Sequence, residues 1–214
     1  MKKAICIIAL ALCTLTAGAQ TETKQSCCGE SCKAGVDNPV VSTIMQRRSV
    51  RKYLDKQVDH ETLALLAQCG INAPNGMNSQ KWAVRVVESK AWIDATTEIF
   101  KKASPDMVKR DANFKNMYRN APNVICVATP GGEATVDAGM LGENIMIAAQ
   151  SLGLGTCCLG GPVRFLQTNA DCKPYLEQLN LPDGYEICYM IAVGYPDEKP
   201  EAKPRDASKV EFIK

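Results

Sequence analysis

The chain has 214 residues, 46% hydrophobic and 22% charged, with 25 Lys and Arg against 23 Asp and Glu. This is the composition of a globular protein with one sizeable core, and it excludes a disordered chain. The near balance of charge argues against a broad nucleic-acid footprint.

Residues 1–19 read apart from the rest. Lys2 and Lys3 form a positive start, Ala4 to Leu15 an apolar run, and Ala17-Gly18-Ala19 a small-residue cleavage motif before Gln20. Together these are the parts of a secretory signal peptide, too short to span a membrane comfortably. The expectation is cleavage after Ala19 and an exported, periplasmic protein with no membrane span. Leu12 before Cys13 departs from a bacterial lipobox. Loss of the signal removes two lysines and leaves the mature chain close to neutral.

Residues 20–36 read as a flexible leader carrying Cys27, Cys28 and Cys32 in a polar segment. Three thiols without a nearby histidine could form a disulfide or hold a soft metal, or could simply oxidise. Of the 11 cysteines, Cys6 and Cys13 fall in the signal, so an odd number remains and at least one thiol is unpaired or intermolecular. Cys69, Cys126 and Cys188 lie in apolar runs and read as small buried side chains.

From 37 to 214 the pattern is that of a single domain. Asn38-Pro39 opens a helix that runs to about Arg47, with Val40, Val41, Ile44 and Met45 as its buried side. Arg47-Arg48-Ser49-Val50-Arg51 follows directly. Such a segment is either a solvated basic turn or an anion site, since the planar guanidinium donates parallel bonds to phosphate. Asp59 caps a second helix whose apolar positions are Leu63, Leu65, Leu66 and Cys69. Ala73 to Asn78 is turn-rich, and a strand from Trp82 to Val87 follows, read as buried on both faces. Ser89 caps a helix through Lys102, and a shorter helix is expected from about Asp106 to Tyr118. Asn123 to Thr129 is a continuous β-prone run, as in a central strand. Asp137 to Leu152 is a broadly apolar helix, closed by Gly153 and Gly155 as its cap. A short strand at Thr156 to Leu159, helices near Arg164 to Thr168 and Cys172 to Leu179, and a strand from Tyr185 to Val193 complete the pattern. The chain after Tyr195 reads as an extended arm. Helices and strands interleave throughout, which indicates an α/β or α+β layered fold.

No catalytic triad can be built around the single histidine, His60, and no histidine-rich metal site exists. Four segments carry the chemistry instead. They are Arg47 to Arg51, Pro74-Asn75-Gly76-Met77-Asn78-Ser79-Gln80-Lys81-Trp82, Leu152 to Gly161, and Gly194-Tyr195-Pro196 with Lys203-Pro204-Arg205. In this order and spacing they resemble the nitroreductase family of flavoproteins, from about Pro39 to Arg205.

The resemblance implies an α+β three-layer fold, with a central, mainly antiparallel sheet flanked by helices and an intertwined homodimer. It implies FMN as cofactor and NADH or NADPH as transient donor, with a small aromatic or quinone-like acceptor and ping-pong kinetics. Arg47 and Ser49 match positions at the phosphate and ribityl end, and Arg48 takes part largely through its backbone. Arg51 matches a basic residue near the pyrimidine side, where a fixed positive charge favours the reduced ring. Asn78 matches an amide on the ring system, with Gln80 close behind, and Pro74, Asn75 and Gly76 face the partner's flavin. Cys158, Leu159, Gly160 and Gly161 match backbone near the reactive edge, and Lys203 and Arg205 a basic pair over the phosphate. The flavin carries the redox chemistry, so no catalytic side chain and no metal is assigned. Asn75, Lys81, Cys157 and Cys158 depart from the family's commoner residues and bear on substrate preference. Two other functions stay open: an exported electron relay using a thiol or other donor, and a non-catalytic flavin-binding module.

Overall fold

The computed structural model describes residues 38–214. The expected signal peptide and the Cys27, Cys28 and Cys32 leader lie outside the described residues.

The central sheet has four strands: β1 (Ala83–Val87), β2 (Asn123–Pro130), β3 (Gly155–Leu159) and β4 (Tyr185–Gly194). They lie in the order β1-β2-β4-β3 and every pairing is antiparallel. Alternation along the strands splits the core into two layers, because successive side chains point to opposite faces. Val124, Cys126, Met190 and Ala192 join Trp92, Tyr118 and Leu166 on one face. Ile125, Val127, Ile191 and Val193 join Leu63, Leu66, Leu141 and Ile145 on the other. The α+β sheet flanked by helices is therefore as expected.

The helices follow their local signals. Asn38 caps α1 (Pro39–Gln46) and Asp59 caps α2 (His60–Ile71), each through its side-chain oxygen. The Thr62 amide and hydroxyl donated to Asp59 hold its carboxyl below the usual range. Ser89 caps α3 (Lys90–Ala103), and Thr135 caps α5 (Val136–Ser151). Three short helices complete the set: α4 (Pro105–Lys109), α6 (Gly161–Thr168) and α7 (Lys173–Glu177).

Four expectations change. The helix expected from Asp106 to Tyr118 stops at Lys109. Beyond it, asparagine side chains capture the backbone: Asn120 Oδ1 accepts from the amides of Lys115 and Asn116, and Asn116 Oδ1 from that of Tyr118. The strand expected to be buried on both faces, β1, is an edge strand with a half-buried middle. Only Gly153 is the cap of α5, at φ +75°, while Gly155 has a packing role described below. The apolar side of α1 is not buried within this chain: Val40, Val41, Ile44 and Met45 are 45–59% exposed. That helix packs against α5 and contributes no residue to either core layer.

One irregularity positions α5. The β2–β4 register shifts between Val127 and Ala128, which pair with Tyr189 and Ile187, so Cys188 is the extra residue of a bulge. Tyr189 then reaches α5, where its hydroxyl donates to the Ala138 carbonyl. Gly142 makes room for it, since a Cβ there would lie 2.4 Å from the Tyr189 oxygen.

Candidate functional site

Residues 47–54 leave α1 as an extended segment clamped from both sides. On one side Ser49 forms a parallel bridge with Thr156 of β3, and the Val50 amide donates to the Thr156 carbonyl at 2.9 Å. Gly155 allows this seat: a Cβ there would lie 2.8 Å from Val50 Cβ. On the other side the chain leaving β4 returns alongside. Tyr53 bridges Pro196, the Leu54 amide donates to the Tyr195 carbonyl, and the Asp197 amide donates to the Lys52 carbonyl. The arginine segment thus lies between the start of β3 and the first residues of the C-terminal arm.

Within it, Arg47, Arg48 and Ser49 are half-buried and Arg51 is exposed. Arg48 donates to the carbonyls of Met45 and Arg47 at the end of α1, where the helix dipole favours a cation. Arg51 donates from its guanidinium to the Ser49 carbonyl at 3.0 Å, and its backbone amide donates to Glu198 Oε1. Arg47 approaches Glu143 of α5 through Nε, 3.4 Å from Oε1. Three guanidinium groups therefore meet a single side-chain carboxylate among the described residues, so donors remain for an anion.

The second motif is a strained turn. Met77, Asn78 and Gln80 have φ of +53°, +52° and +48°. Conformations that disfavour L side chains persist only where neighbours fix them. Here Asn75 Oδ1 accepts from the Gln80 amide at 2.9 Å, the Ser79 amide donates to the Gly76 carbonyl, and the Gly76 amide donates to Asp137 at 3.2 Å. The turn is held up to solvent: Pro74, Gly76, Asn78 and Gln80 are exposed, and Met77 is 99% exposed.

The third motif continues β3. Cys157 is buried on one face and Cys158 is exposed on the other, and burial of its sulfur together with neighbouring Cys157 pushes the Cys158 thiol up. A thiol held in its neutral form is a poor nucleophile. Leu159 is buried, Gly160 precedes α6, and Gly161 begins it. A Cβ at Gly160 or Gly161 would meet nothing within 4 Å, so this turn borders open space.

Helix α5 ties these pieces together. Asp137 in its first turn holds the strained turn, and Glu143 faces Arg47. At 1.5 Å per residue those anchors are about 9 Å apart along the helix axis. Lys203 and Arg205 stand differently. Both are exposed, Arg205 donates to the Lys203 carbonyl, and no hydrogen bond or ion pair joins either to Arg47, Arg48 or Arg51 among the described residues. The arm side chain that hydrogen-bonds to the segment, among the described residues, is that of Glu198.

Sequence reasoning missed Asp137, Glu143 and Glu198. A lone acidic residue within the apolar Met140 to Ile147 run was the available signal for Glu143. Glu198 offers none, since it sits in a charged tail.

Comparison with known proteins bears on this geometry. The profile of the family described as "Nitroreductase family" matches residues 44–195. The NADPH-flavin oxidoreductase of Vibrio harveyi is 27% identical over 177 residues, covering 78% of this chain and 70% of that protein. An FMN-dependent nitroreductase from Clostridium difficile R20291 superposes with a TM-score of 0.66 at 27% identity, covering 83% of this chain and all of that one. A nitroreductase with bound FMN from Bacteroides fragilis superposes at 0.71 and 24% identity, a likeness of fold, over 83% of this chain and all of that one.

Proposed function

The chain belongs to the nitroreductase family, and on that premise we propose that it is an FMN-dependent NAD(P)H oxidoreductase acting on nitroaromatic, quinone or similar small acceptors. The observation that carries the reading is the donor set of the clamped segment. Arg47, Arg48 and Arg51, with the Ser49 hydroxyl, set three guanidinium groups against two carboxylates, Glu143 and Glu198, of which only Glu143 meets a guanidinium among the described residues, a chemistry that suits a phosphate monoester. The open face at Gly160 and Gly161 supports a planar group lying beside that turn.

FMN supplies the redox chemistry when bound: hydride acceptance from NADH or NADPH and reduction of an acceptor in the same place, hence ping-pong kinetics. The chain's own residues bind and orient. Arg47, Arg48 and Ser49 would hold the phosphate, with Lys203 and Arg205 of the arm as the further cations that would close over it. Arg51 places a positive charge near the ring, and Pro74, Asn75, Gly76, Asn78 and Gln80 edge it. Cys158, Leu159, Gly160 and Gly161 offer backbone at its reactive side.

We further read the protein as a homodimer. Exposed apolar residues on α1 and in the arm, with Val210, Phe212 and Ile213 at 66–88% exposure, support this. Lys2, Lys3 and the apolar run after them support export to the periplasm. The test of function is the visible spectrum of purified protein. A bound flavin that bleaches anaerobically with NADH or NADPH and recovers with a quinone is expected. A colourless protein that FMN cannot reconstitute would overturn the reading.

A further inference from the structure

Arg47 carries the one ion pair that joins the arginine segment to α5 among the described residues, and its geometry is unusual for a structural bridge. The pair is loose, at 3.4 Å, and it is made through Nε, so the terminal Nη groups are not its closest contact. The side chains are 23% and 45% exposed for Arg47 and Glu143. Such a pair contributes little to folding, because solvent screens it. Glu143 nevertheless stands in a helix that is apolar around it, from Met140 and Leu141 to Ile145, Met146 and Ile147. Among the described residues, Arg48 and Arg51 meet no carboxylate through their guanidinium groups and donate only to backbone carbonyls, each through one terminal nitrogen.

We propose that Glu143 is a resident counter-anion for Arg47, which holds the guanidinium in place before the cofactor arrives and competes with the cofactor phosphate for it. This inference rests on the FMN reading above. A carboxylate beside a half-buried cation compensates its charge while the site lacks a phosphate. Once a phosphate lies on the same guanidinium, the carboxylate repels it, and the more so because a phosphate monoester carries nearly two charges. Glu143 is thereby a specificity-determining residue: it lowers the preference for a phosphorylated flavin over one that ends in the ribityl hydroxyl. It is a positioning residue and touches no reacting atom.

The test compares dissociation constants for FMN and riboflavin by flavin-fluorescence quenching in the wild-type protein and in E143Q, R47Q and E143Q/R47Q. E143Q is expected to tighten FMN by about fivefold, the scale of one half-exposed charge contact, and to leave riboflavin unchanged. In the R47Q background the same substitution is expected to do less, because the competition for the guanidinium is gone and only the direct repulsion between carboxylate and phosphate remains. A second readout is thermal: without FMN, E143Q should melt close to wild type, and its upward shift on saturation with FMN should be larger. Unchanged or weaker FMN binding by E143Q, or an equal change in riboflavin, overturns the counter-anion role. Wild-type protein that binds FMN no better than riboflavin overturns the phosphate reading itself, a distinct result.

Discussion

Arg47 and Arg51 share one short segment but meet different surroundings, and the difference assigns them separate work. Arg47 is half-buried and faces α5, whereas Arg51 is exposed and its backbone amide is tied to Glu198 of the arm. Replacing Arg47 with Gln should weaken FMN binding by roughly 10- to 100-fold, the range for a lost charge-assisted hydrogen bond, with riboflavin binding little changed. Replacing Arg51 with Gln should leave FMN bound and lower the flavin midpoint potential by roughly 20–40 mV, since about 1 kcal/mol corresponds to ~20 mV for a two-electron couple. Spectroelectrochemistry and fluorescence titration read these two effects independently. Equal loosening of FMN by both, with no change in potential, would abolish the division. At this scale the cations were legible in the sequence, because three arginines in five positions demand an anion or solvent. Their acidic neighbours were not. Glu143 and Glu198 are 96 and 147 positions from the groups they meet, and nothing local records such a pairing.

The elements that place the site are α5 and β3, and each depends on a small side chain in a specific spot. Thr135 caps α5 by accepting the Ala138 amide, at the end where Asp137 holds the strained turn. Thr135→Ala should cost about 1 kcal/mol of stability. It should also loosen the turn, seen as faster hydrogen exchange over residues 74–80. Gly155→Ala acts elsewhere, because its Cβ would press on Val50 at 2.8 Å. We expect a loss of roughly 1–3 kcal/mol in denaturant titration. FMN affinity should fall more than for Thr135→Ala, since Ser49 and Arg48 move with Val50. If Gly155→Ala unfolds early yet binds FMN normally, the bridge between Ser49 and Thr156 does not position the segment. Most elements were readable from periodicity and capping: β2 and β4 as apolar runs, and α1, α2 and α3 from Asn38, Asp59 and Ser89. The stretch after Lys109 was not, because Asn116 and Asn120 close local loops that propensity does not weigh. Nor was the role of Gly155, which depends on a contact more than a hundred residues away.

At the scale of the whole molecule, the described residues leave several large apolar side chains exposed. Val40, Val41, Ile44 and Met45 stand on one exposed helix, and Val210, Phe212 and Ile213 end an arm with no fully buried residue after Gly194. Exposed apolar surface of this kind supports the homodimer proposed above, and charged substitutions there are the way to test it. The sequence reading expected α1 to be buried, and burial in a second copy would satisfy that pattern where this chain alone does not. Two variants separate the contributions: V41D/M45D on α1, and F212D/I213D at the arm. Each buried aliphatic or aromatic side chain is worth about 1.5–3 kcal/mol, so either double variant should raise the dimer dissociation constant by more than ~100-fold. Light scattering after size-exclusion chromatography should show wild-type protein at twice the chain mass and both variants shifting toward the monomer on dilution. FMN loss should accompany dissociation, because among the described residues no hydrogen bond or ion pair joins Lys203 or Arg205, in the arm, to the arginines of their own chain. A wild-type monomer that retains FMN at nanomolar concentration would show that one chain closes the site unaided. The arm would then have to fold back on its own protomer, and F212D/I213D would weaken FMN binding with no change in mass.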